Sequence, residues 1–279
     1  MGVFPLSRIL TVLVTVGVTS VSCSSPDTNE VTTSRGQPEP KETTVPQSTA
    51  PEFTTTISVA SPLELLVFHK TGGFRHDSIE SGIAALEDLA ETNNLEVTAT
   101  EDASVFTVEG LQPFDVIVFM NTTGEVLDES QQAAMEEFIQ AGKGFVGVHS
   151  ATDTEYEWPW YGELVAAYFD NHPPPQQAMV NLVEPHPVVE GLPEQFERFD
   201  EWYNFRAHPG PAVTILATLD ESSYDGGDMS EAHPIVWAHE YDGGRSVYIG
   251  FGHTSETFAE PRTRTLLGNA FRWAAGGDG

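Results

Sequence analysis

The chain beyond residue 61 alternates between short apolar runs and longer stretches with helical periodicity. Three of the apolar runs, Leu63–Phe68, Asp115–Met120 and Gly144–Val148, are almost continuously hydrophobic. Such runs are typical of strands that are buried on both faces of a parallel sheet. A fourth run, Leu95–Thr100, also has the composition of a strand. The first half of the domain therefore contains four predicted strands.

Two helices are predicted between these strands. Asp77–Glu80 has the sequence of a capping box and opens a helix that extends to about Glu91. Asp128–Ala141 is amphipathic and is closed by Gly142. This alternation, with a short helix before the third strand, predicts an α/β fold. We expect a doubly wound, mostly parallel, flavodoxin-like sheet with helices on both faces.

The second half of the domain is less regular, and no internal repeat is visible in it. Its apolar runs predict four further strands and one closing helix. The strands are Ala178–Val183, Val213–Leu219, Ile235–Glu240 and Ser246–Phe251, and the helix is Arg262–Ala275.

The first 61 residues have the composition of targeting and linker segments. Residues 1–22 combine Arg8 with a short apolar run, which predicts a cleaved signal peptide. Cys23 follows in a sequence that resembles a lipobox, so we expect it to be acylated and to anchor the protein outside the membrane. The alternative is an ordinary signal peptide and a secreted protein. Residues 23–61, rich in Ser, Thr, Pro and Glu, predict a disordered tether before the domain of residues 62–279.

The charge of the chain limits its partners. Lys and Arg number 12 against 42 Asp and Glu, a formal net charge of −30. A polyanionic surface repels nucleic acid and anionic lipid, so we expect no nucleic acid partner and membrane contact only through the lipid anchor. The single cysteine excludes an intrachain disulfide. The sequence specifies no oligomeric state.

Polar loops follow several of the predicted strands. Arg75 and His76 come after the first strand, His149 and Asp153 after the fourth, and His253 after the last. In open α/β sheets, ligands bind outside the carboxyl ends of the strands. We therefore expect His76, His149 and His253 to converge on one crevice and at least two of them to have a functional role.

The turn after the fourth strand resembles an elbow that presents a nucleophile. Its sequence is Gly147-Val148-His149-Ser150-Ala151, in which His149 takes the central position. Such an elbow exposes its central side chain at the top of the sheet. Ser150 lies one position away, which makes a serine hydrolase a weak interpretation. A histidine in this place predicts an acid, a base or a metal ligand.

Five segments in order resemble the ThuA-like, or trehalose-utilization, family. They are TGGFRHDSI, GVHSATD, HPVVEGLPEQFERFDEWYNF, HPIVWAHEYDGGRSVYIGFGHT and the closing helix, and the similarity covers Leu63 to Gly276. The family is similar in fold to class I glutamine amidotransferases but lacks their Cys-His-Glu catalysis. The chain agrees with this difference, because His149 occupies the elbow and Cys23 lies outside the domain. The resemblance implies a role in handling sugars, among them keto-sugars or glycosides.

The same resemblance implies which residues form the site. The matching positions assign catalytic roles to His76, His149, Asp153 and His253, and substrate binding to Arg75 and Glu201. His172 lies in the irregular middle, where a substrate loop can fold over the site. Trp202 and Tyr203 follow Glu201, and aromatic rings beside carboxylates are common in sugar sites; the alternative is a packed aromatic loop with solvated acids.

Three function classes remain open at this point. The first is a cell-surface carbohydrate-processing enzyme with histidine acid/base chemistry and no amidotransferase activity. The second is a non-catalytic sugar-binding or scaffold module, and the third is a metal-dependent hydrolase of another small substrate. Histidines with Asp or Glu from several loops are a reasonable ligand set for zinc or another divalent ion. No compact zinc motif is present, so such a site would be assembled from distant loops.

The lipobox-like sequence leads to a test by cell fractionation. We expect Cys23→Ser to move the protein from the membrane to the soluble fraction, because acylation of this thiol is the predicted anchor. Cys23→Ser protein that remains with the membrane would contradict the lipid anchor.

Overall fold

The computed structural model describes residues 61–230 and 232–277. The predicted signal peptide, Cys23 and almost all of the tether lie outside the described residues. Within the described part of the chain, no helix is both long enough and apolar enough to cross a membrane.

The described residues form eleven strands and six α-helices. The strands are β1 Leu63–Phe68, β2 Leu95–Thr100, β3 Val116–Met120, β4 Gly144–Val148, β5 Phe169–Asn171, β6 Gln176–Leu182, β7 Gln195–Asp200, β8 Asn204–Phe205, β9 Thr214–Asp220, β10 His233–Tyr241 and β11 Gly244–Ile249. The helices are α1 Ile79–Asn93, α2 Val108–Leu111, α3 Glu129–Gln140, α4 Pro159–Val165, α5 Ser255–Ala259 and α6 Pro261–Ala274.

Nine of these strands form one mixed sheet in the order β2-β1-β3-β4-β11-β10-β9-β6-β7. The pairs from β2 to β11 are all parallel. The pairs from β11 to β7 are all antiparallel. Strands β10 and β6 therefore run opposite to β1, whereas β9 and β7 run in the same direction as β1. The carboxyl end of β7 lies at the same edge of the sheet as the carboxyl ends of β1, β4 and β11.

Two hydrophobic layers cover the sheet. Alternate residues of β1 enter different layers: Leu65 and Val67 belong to one cluster, while Leu66 and Phe68 belong to the other. Helices α1 and α6 contribute to the first cluster, and α3 and α4 contribute to the second. This double burial accounts for the continuous apolar runs of the parallel strands. The predicted α/β class is confirmed.

Three features differ from the sequence predictions. The sheet is mixed, because the strands from β11 to β7 pair antiparallel and are not joined by the helical crossovers of a parallel sheet. Strand β7 alternates between exposed and buried residues, yet charged positions interrupt its apolar pattern, so it was not predicted. The short ribbon of β5 and β8 was missed as well.

The capping box predicted for Asp77–Glu80 is also wrong. Ser78 precedes α1 in a helical conformation, and its side chain caps no backbone N–H. Its hydroxyl instead donates to the carbonyl of Gly252 at 2.7 Å and accepts from the Asn121 amide at 2.9 Å. A complete capping box is present at α3, where Asp128 and Gln131 bond each other's backbone. Ser78 therefore ties the first loop to the last loop of the sheet rather than capping its own helix.

Candidate functional site

His76 lies in the loop that connects β1 to α1. The backbone of this loop is held against the loop after β3, because Gly72 donates to the carbonyl of Thr123 at 2.6 Å. A Cβ at Gly72 would lie 2.8 Å from the carbonyl oxygen of Glu125, so a larger residue would displace the loop. The side chain of His76 is buried, and its Nδ1 lies 3.4 Å from the hydroxyl of Ser150.

His149 occupies the turn after β4 with a φ of 47°, a left-handed conformation that is uncommon for a histidine. Its Nδ1 lies 3.3 Å from the carbonyl oxygen of Gly250. Gly252 permits this close packing, because a Cβ there would lie 3.1 Å from Val148 Cγ1 and 3.3 Å from the Cβ of His149. The exposed side chain predicted for the elbow is wrong: His149 is fully buried.

Glu201 follows β7 and brings a carboxylate to the histidines. Its Oε2 lies 3.1 Å from His253 Nδ1 and 3.4 Å from His149 Nε2, and its Oε1 lies 3.1 Å from His172 Nδ1. The carboxylate side chain is only 6% exposed. The contacts with His149 and His253 are close but poorly aligned, so neither imidazole nitrogen has a hydrogen-bond partner among the described residues.

The four side chains of His76, His149, Glu201 and His253 form one cluster, which we call the His/Glu cluster. One ligand atom from each lies within 4.8 Å of the others. The imidazole centroid of His76 is 4.9 Å from that of His149 and 5.2 Å from that of His253. The predicted convergence of the three histidines is confirmed, and Glu201 joins them.

A cavity of about 230 Å³ opens onto the His/Glu cluster. Three aromatic side chains and one further carboxylate contribute to its wall, together with His172. The complete lining is Phe74, His76, Asp153, Phe169, His172, Glu201, Tyr203 and His253. The ring of Tyr203 also packs on His149, with centroids 4.3 Å apart. Such a mixture of aromatic and ionisable groups suits a small polar ligand with apolar faces.

Charge is distributed unevenly within the cluster. Burial lowers the pKa of His76 to about 3, with repulsion from His149 and His253 adding to the effect. Burial acts to raise the pKa of Glu201, but its contacts with His149 and His253 outweigh that effect and hold it well below its usual range. The pKa of His253 is raised because it contacts the Glu201 carboxylate. At neutral pH the cluster therefore contains an ionised Glu201 and a neutral His76.

Asp153 lines the same cavity from the turn after β4. Its Oδ1 accepts a hydrogen bond from the Tyr156 hydroxyl at 2.7 Å. Burial raises the pKa of Asp153, although the bond from Tyr156 opposes the shift. A carboxylate with a raised pKa, held in place by a phenol, can accept a proton from a bound substrate.

Two residues assigned to substrate binding lie away from the cavity. Arg75 is directed to the other side of its loop, where it forms ion pairs with Glu80 and Glu101. Trp202 is fully buried, and its indole N–H donates to the carbonyl of Gln176 at 2.8 Å. Adjacent residues along an extended chain point in opposite directions, which separates Trp202 from Glu201 and Tyr203.

Sequence reasoning missed two aromatic residues of the cavity wall. Phe74 is 66% exposed although it is a large apolar residue, and its ring packs edge-on against His76 with centroids 4.9 Å apart. Its place within TGGFRHDSI, two residues before His76, was a usable signal. Phe169 contacts Tyr203 with ring centroids 4.2 Å apart. No local signal identified Phe169, because the β5–β8 ribbon brings it to the site.

The fold and the site define a class of α/β protein with a His/Glu cluster at the carboxyl edge of its sheet and no thiol in the elbow. Residues 64–274 match the sequence profile of the ThuA family, which is described as trehalose utilisation. The chain belongs to the ThuA family, as the sequence motifs predicted. This membership indicates a carbohydrate-related role. No curated protein matches the chain significantly.

Solved structures support the same fold. A ThuA-like protein from Bacteroides uniformis is 24% identical, with a TM-score of 0.67 over 79% of this chain and 94% of that chain. A ThuA-like protein from Parabacteroides merdae is 20% identical, with a TM-score of 0.64 over 77% of this chain and 91% of that chain. At these identities the likeness concerns the fold alone.

The low pKa of His76 predicts how stability depends on pH in metal-free protein. The unfolded chain binds a proton at His76 below a pH of about 6.5, whereas the folded chain does not until about 3. Stability should therefore fall on acidification, with His76 contributing about 2 kcal/mol between pH 7 and pH 5. We expect His76→Gln to reduce this slope in urea unfolding measured with a chelator present.

Phe74→Leu is the matched control, because it alters a neighbour of His76 that does not titrate. It should keep the pH slope of the unmodified protein. Equal slopes for His76→Gln and the unmodified protein would contradict the neutral, buried state of His76.

Proposed function

We propose that this protein is an exported carbohydrate-processing enzyme whose reaction takes place at the His/Glu cluster, and that the cluster binds a divalent metal ion. Membership of the ThuA family supports the substrate class. The observation that carries the proposal is that four ligand atoms lie within 4.8 Å of one another beside a cavity. The chemistry of these donor atoms supports the metal ion.

The imidazole nitrogens that face the cluster are suited to metal binding. His149 donates through Nδ1 to the Gly250 carbonyl when Nδ1 carries its proton, which leaves the Nε2 lone pair directed at the cluster. Such bonds from the outer nitrogen orient histidine ligands in metal sites. His149 Nε2 and His253 Nδ1 are buried without a hydrogen-bond partner among the described residues. Buried polar atoms without a partner are rare, and a bound cation would satisfy both.

The charges of the cluster also suit a cation. Three imidazoles and one carboxylate provide a set of three nitrogens and one oxygen, which is compatible with zinc and with other first-row divalent ions. His76 is neutral at physiological pH, as a ligand must be, and Glu201 is ionised. A metal ion bound there would polarise a carbonyl or hydroxyl oxygen of the sugar.

Asp153 is the proposed acid/base residue of the reaction. It lines the cavity and does not belong to the His/Glu cluster, so its carboxylate remains free of the metal and can accept a proton from the substrate. Its raised pKa brings the carboxyl closer to the working range of a general base, and Tyr156 fixes its orientation. Phe74, Phe169 and Tyr203 provide apolar surfaces for the hydrogen-bearing face of a sugar ring. Keto-sugars and glycosides of keto-sugars are the substrates that we propose.

Export and lipid anchoring complete the proposal. The apolar run of residues 9–18 and the cysteine that follows the signal-like segment support a location outside the cytoplasmic membrane. The net charge of −30 suits a protein that is held near the membrane by a lipid and not by its own surface.

The metal can be tested by binding measurements. We expect protein stripped with a chelator to bind about one equivalent of zinc, and zinc at about 100 times its Kd to raise stability by about 2.7 kcal/mol. His149→Ala should weaken zinc binding by at least about 100-fold, because it removes one of the proposed ligands.

The matched control for this test is His239→Ala. His239 is also buried, but its Nε2 bonds the carbonyl of Leu164 at 2.9 Å and it lies outside the His/Glu cluster. His239→Ala protein that still folds should bind zinc as the unmodified protein does. Equal zinc affinity in His149→Ala and the unmodified protein would refute the metal site.

The reaction can be tested with a panel of keto-glycosides and their unoxidised parents. We expect turnover of at least one keto-glycoside by the zinc-loaded protein, and a loss of about 100-fold or more in kcat for Asp153→Asn, since general acid/base groups contribute about 10²–10⁴-fold. Product formation is measured by chromatography. Binding without turnover in the metal-loaded protein would favour a non-catalytic sugar-binding module, and turnover only of non-sugar substrates would favour a metal-dependent hydrolase of another class.

A further inference from the structure

Asp200, the last residue of β7, directly precedes Glu201 and is fully buried. It does not line the cavity, and it is not a member of the His/Glu cluster. Burial of a carboxylate costs free energy unless hydrogen-bond donors surround it. The donors around Asp200 therefore indicate its structural role.

The donors around Asp200 come from both sides of the candidate site. Its Oδ1 accepts from the backbone N–H of Glu201 at 2.9 Å, from that of His253 at 2.9 Å and, at 3.4 Å, from that of Gly252. Its Oδ2 accepts from the hydroxyl of Thr257, in the helix that follows His253. One carboxyl group thus connects the end of β7 to the loop that follows β11, and two of the three residues that donate to its Oδ1, Glu201 and His253, are proposed metal ligands.

We propose that Asp200 is a positioning residue that fixes the distance between Glu201 and His253 in the His/Glu cluster. The inference rests on the proposed function, because it assigns this distance to metal binding. Glu201 and His253 belong to elements with no direct hydrogen bond between them, since β7 and β11 are separated by β10, β9 and β6 in the sheet. Asp200 supplies the connection that the sheet does not.

Arg198 keeps Asp200 in this arrangement. It lies two residues earlier on β7 and therefore on the same face of the strand. Its Nε is 3.4 Å from Asp200 Oδ2, and its Nη1 donates to Glu260 and to Thr263 at 3.0 Å each. Its guanidinium lies 4.4 Å from the ring centroid of Phe251, two residues before His253. The positive charge thus offsets the burial of Asp200 and also contacts the loop that carries His253.

The carboxyl of Asp200 acts through its neighbours and does not contact a ligand itself. Both of its oxygens are used by donors of the protein. Removal of the carboxyl would release three backbone N–H groups at once, and the loop of His253 would lose its hydrogen bonds to Asp200. We therefore expect a looser cluster with all of its ligands still present.

The test compares Asp200→Ala, Asp200→Asn and Asp220→Ala. Asparagine retains an oxygen that can accept from the same backbone N–H groups, so Asp200→Asn should keep most of the affinity that Asp200→Ala loses. Asp220→Ala is the matched control, because Asp220 also ends a strand and accepts from a following backbone N–H, but its Oδ1 bonds Ser222, and Asp220 neither lines the cavity nor belongs to the His/Glu cluster. Cobalt(II) is the probe, since its visible absorption reports coordination geometry as well as binding.

We expect Asp200→Ala to weaken cobalt binding by about 10- to 100-fold and to change its absorption spectrum, as outer-shell changes do in metal sites. Asp200→Asn should bind within a few-fold of the unmodified protein, and Asp220→Ala should be unchanged. In a crystal structure of the metal-free Asp200→Ala protein, the separation of Glu201 Oε2 and His253 Nδ1 should exceed its present 3.1 Å by more than 1 Å. If Asp200→Ala does not fold, Thr257→Val takes its place, because it removes one donor to the same carboxyl. Thr257→Val should also weaken cobalt binding, but by less than about 10-fold.

The two readouts separate this inference from the proposed function. If the unmodified protein binds cobalt and Asp200→Ala binds it equally well with the same spectrum, the positioning role is overturned and the metal site stands. If the unmodified protein binds no metal, the proposed metal function fails, and the metal-free crystal structure alone decides the positioning role. An unchanged separation of Glu201 and His253 in that structure would overturn it.

Discussion

The contact of one buried carboxylate with three imidazoles is the interaction around which the site is built. Glu201 lies 6% exposed between His149, His253 and His172, and it is ionised. A buried carboxylate stays ionised only beside cationic groups or hydrogen-bond donors, because burial alone would raise its pKa and favour the neutral acid. The histidines provide those partners from separate loops. The structure at this edge of the sheet therefore holds three histidine-bearing segments against one carboxylate.

The mixed sheet brings Glu201 to the edge that carries the histidines. The carboxyl ends of the parallel strands share one edge. Strand β7 ends at that edge because the number of antiparallel pairs between it and β11 is even, namely four. The β5–β8 ribbon then folds Phe169 and His172 over the cavity. The parallel half thus provides the three histidines of the His/Glu cluster, the antiparallel half provides Glu201, and the β5–β8 ribbon provides Phe169 and His172.

The backbone at the elbow adopts a strained conformation at His149. His149 holds a φ of 47°, a conformation that costs about 1–3 kcal/mol in a residue other than glycine. Gly252, with a φ of 149°, accommodates the neighbouring loop at a distance that a side chain would prevent. Strain of this kind persists where surrounding contacts over-determine it, as the bonds of His149, Ser78 and Asn121 to the Gly250–Gly252 segment do.

The sequence by itself determined the α/β class, the parallel strands and the convergence of His76, His149 and His253. Apolar runs report burial directly, and the carboxyl ends of parallel strands share one edge whatever the details of the loops. The tertiary structure alone decided the direction of β7, the burial of His149, the displacement of Arg75 and Trp202 from the cavity, and the link through Asp200. These depend on strand order and on contacts between residues such as Asp200 and His253, 53 positions apart, for which the local sequence contains no periodic signal.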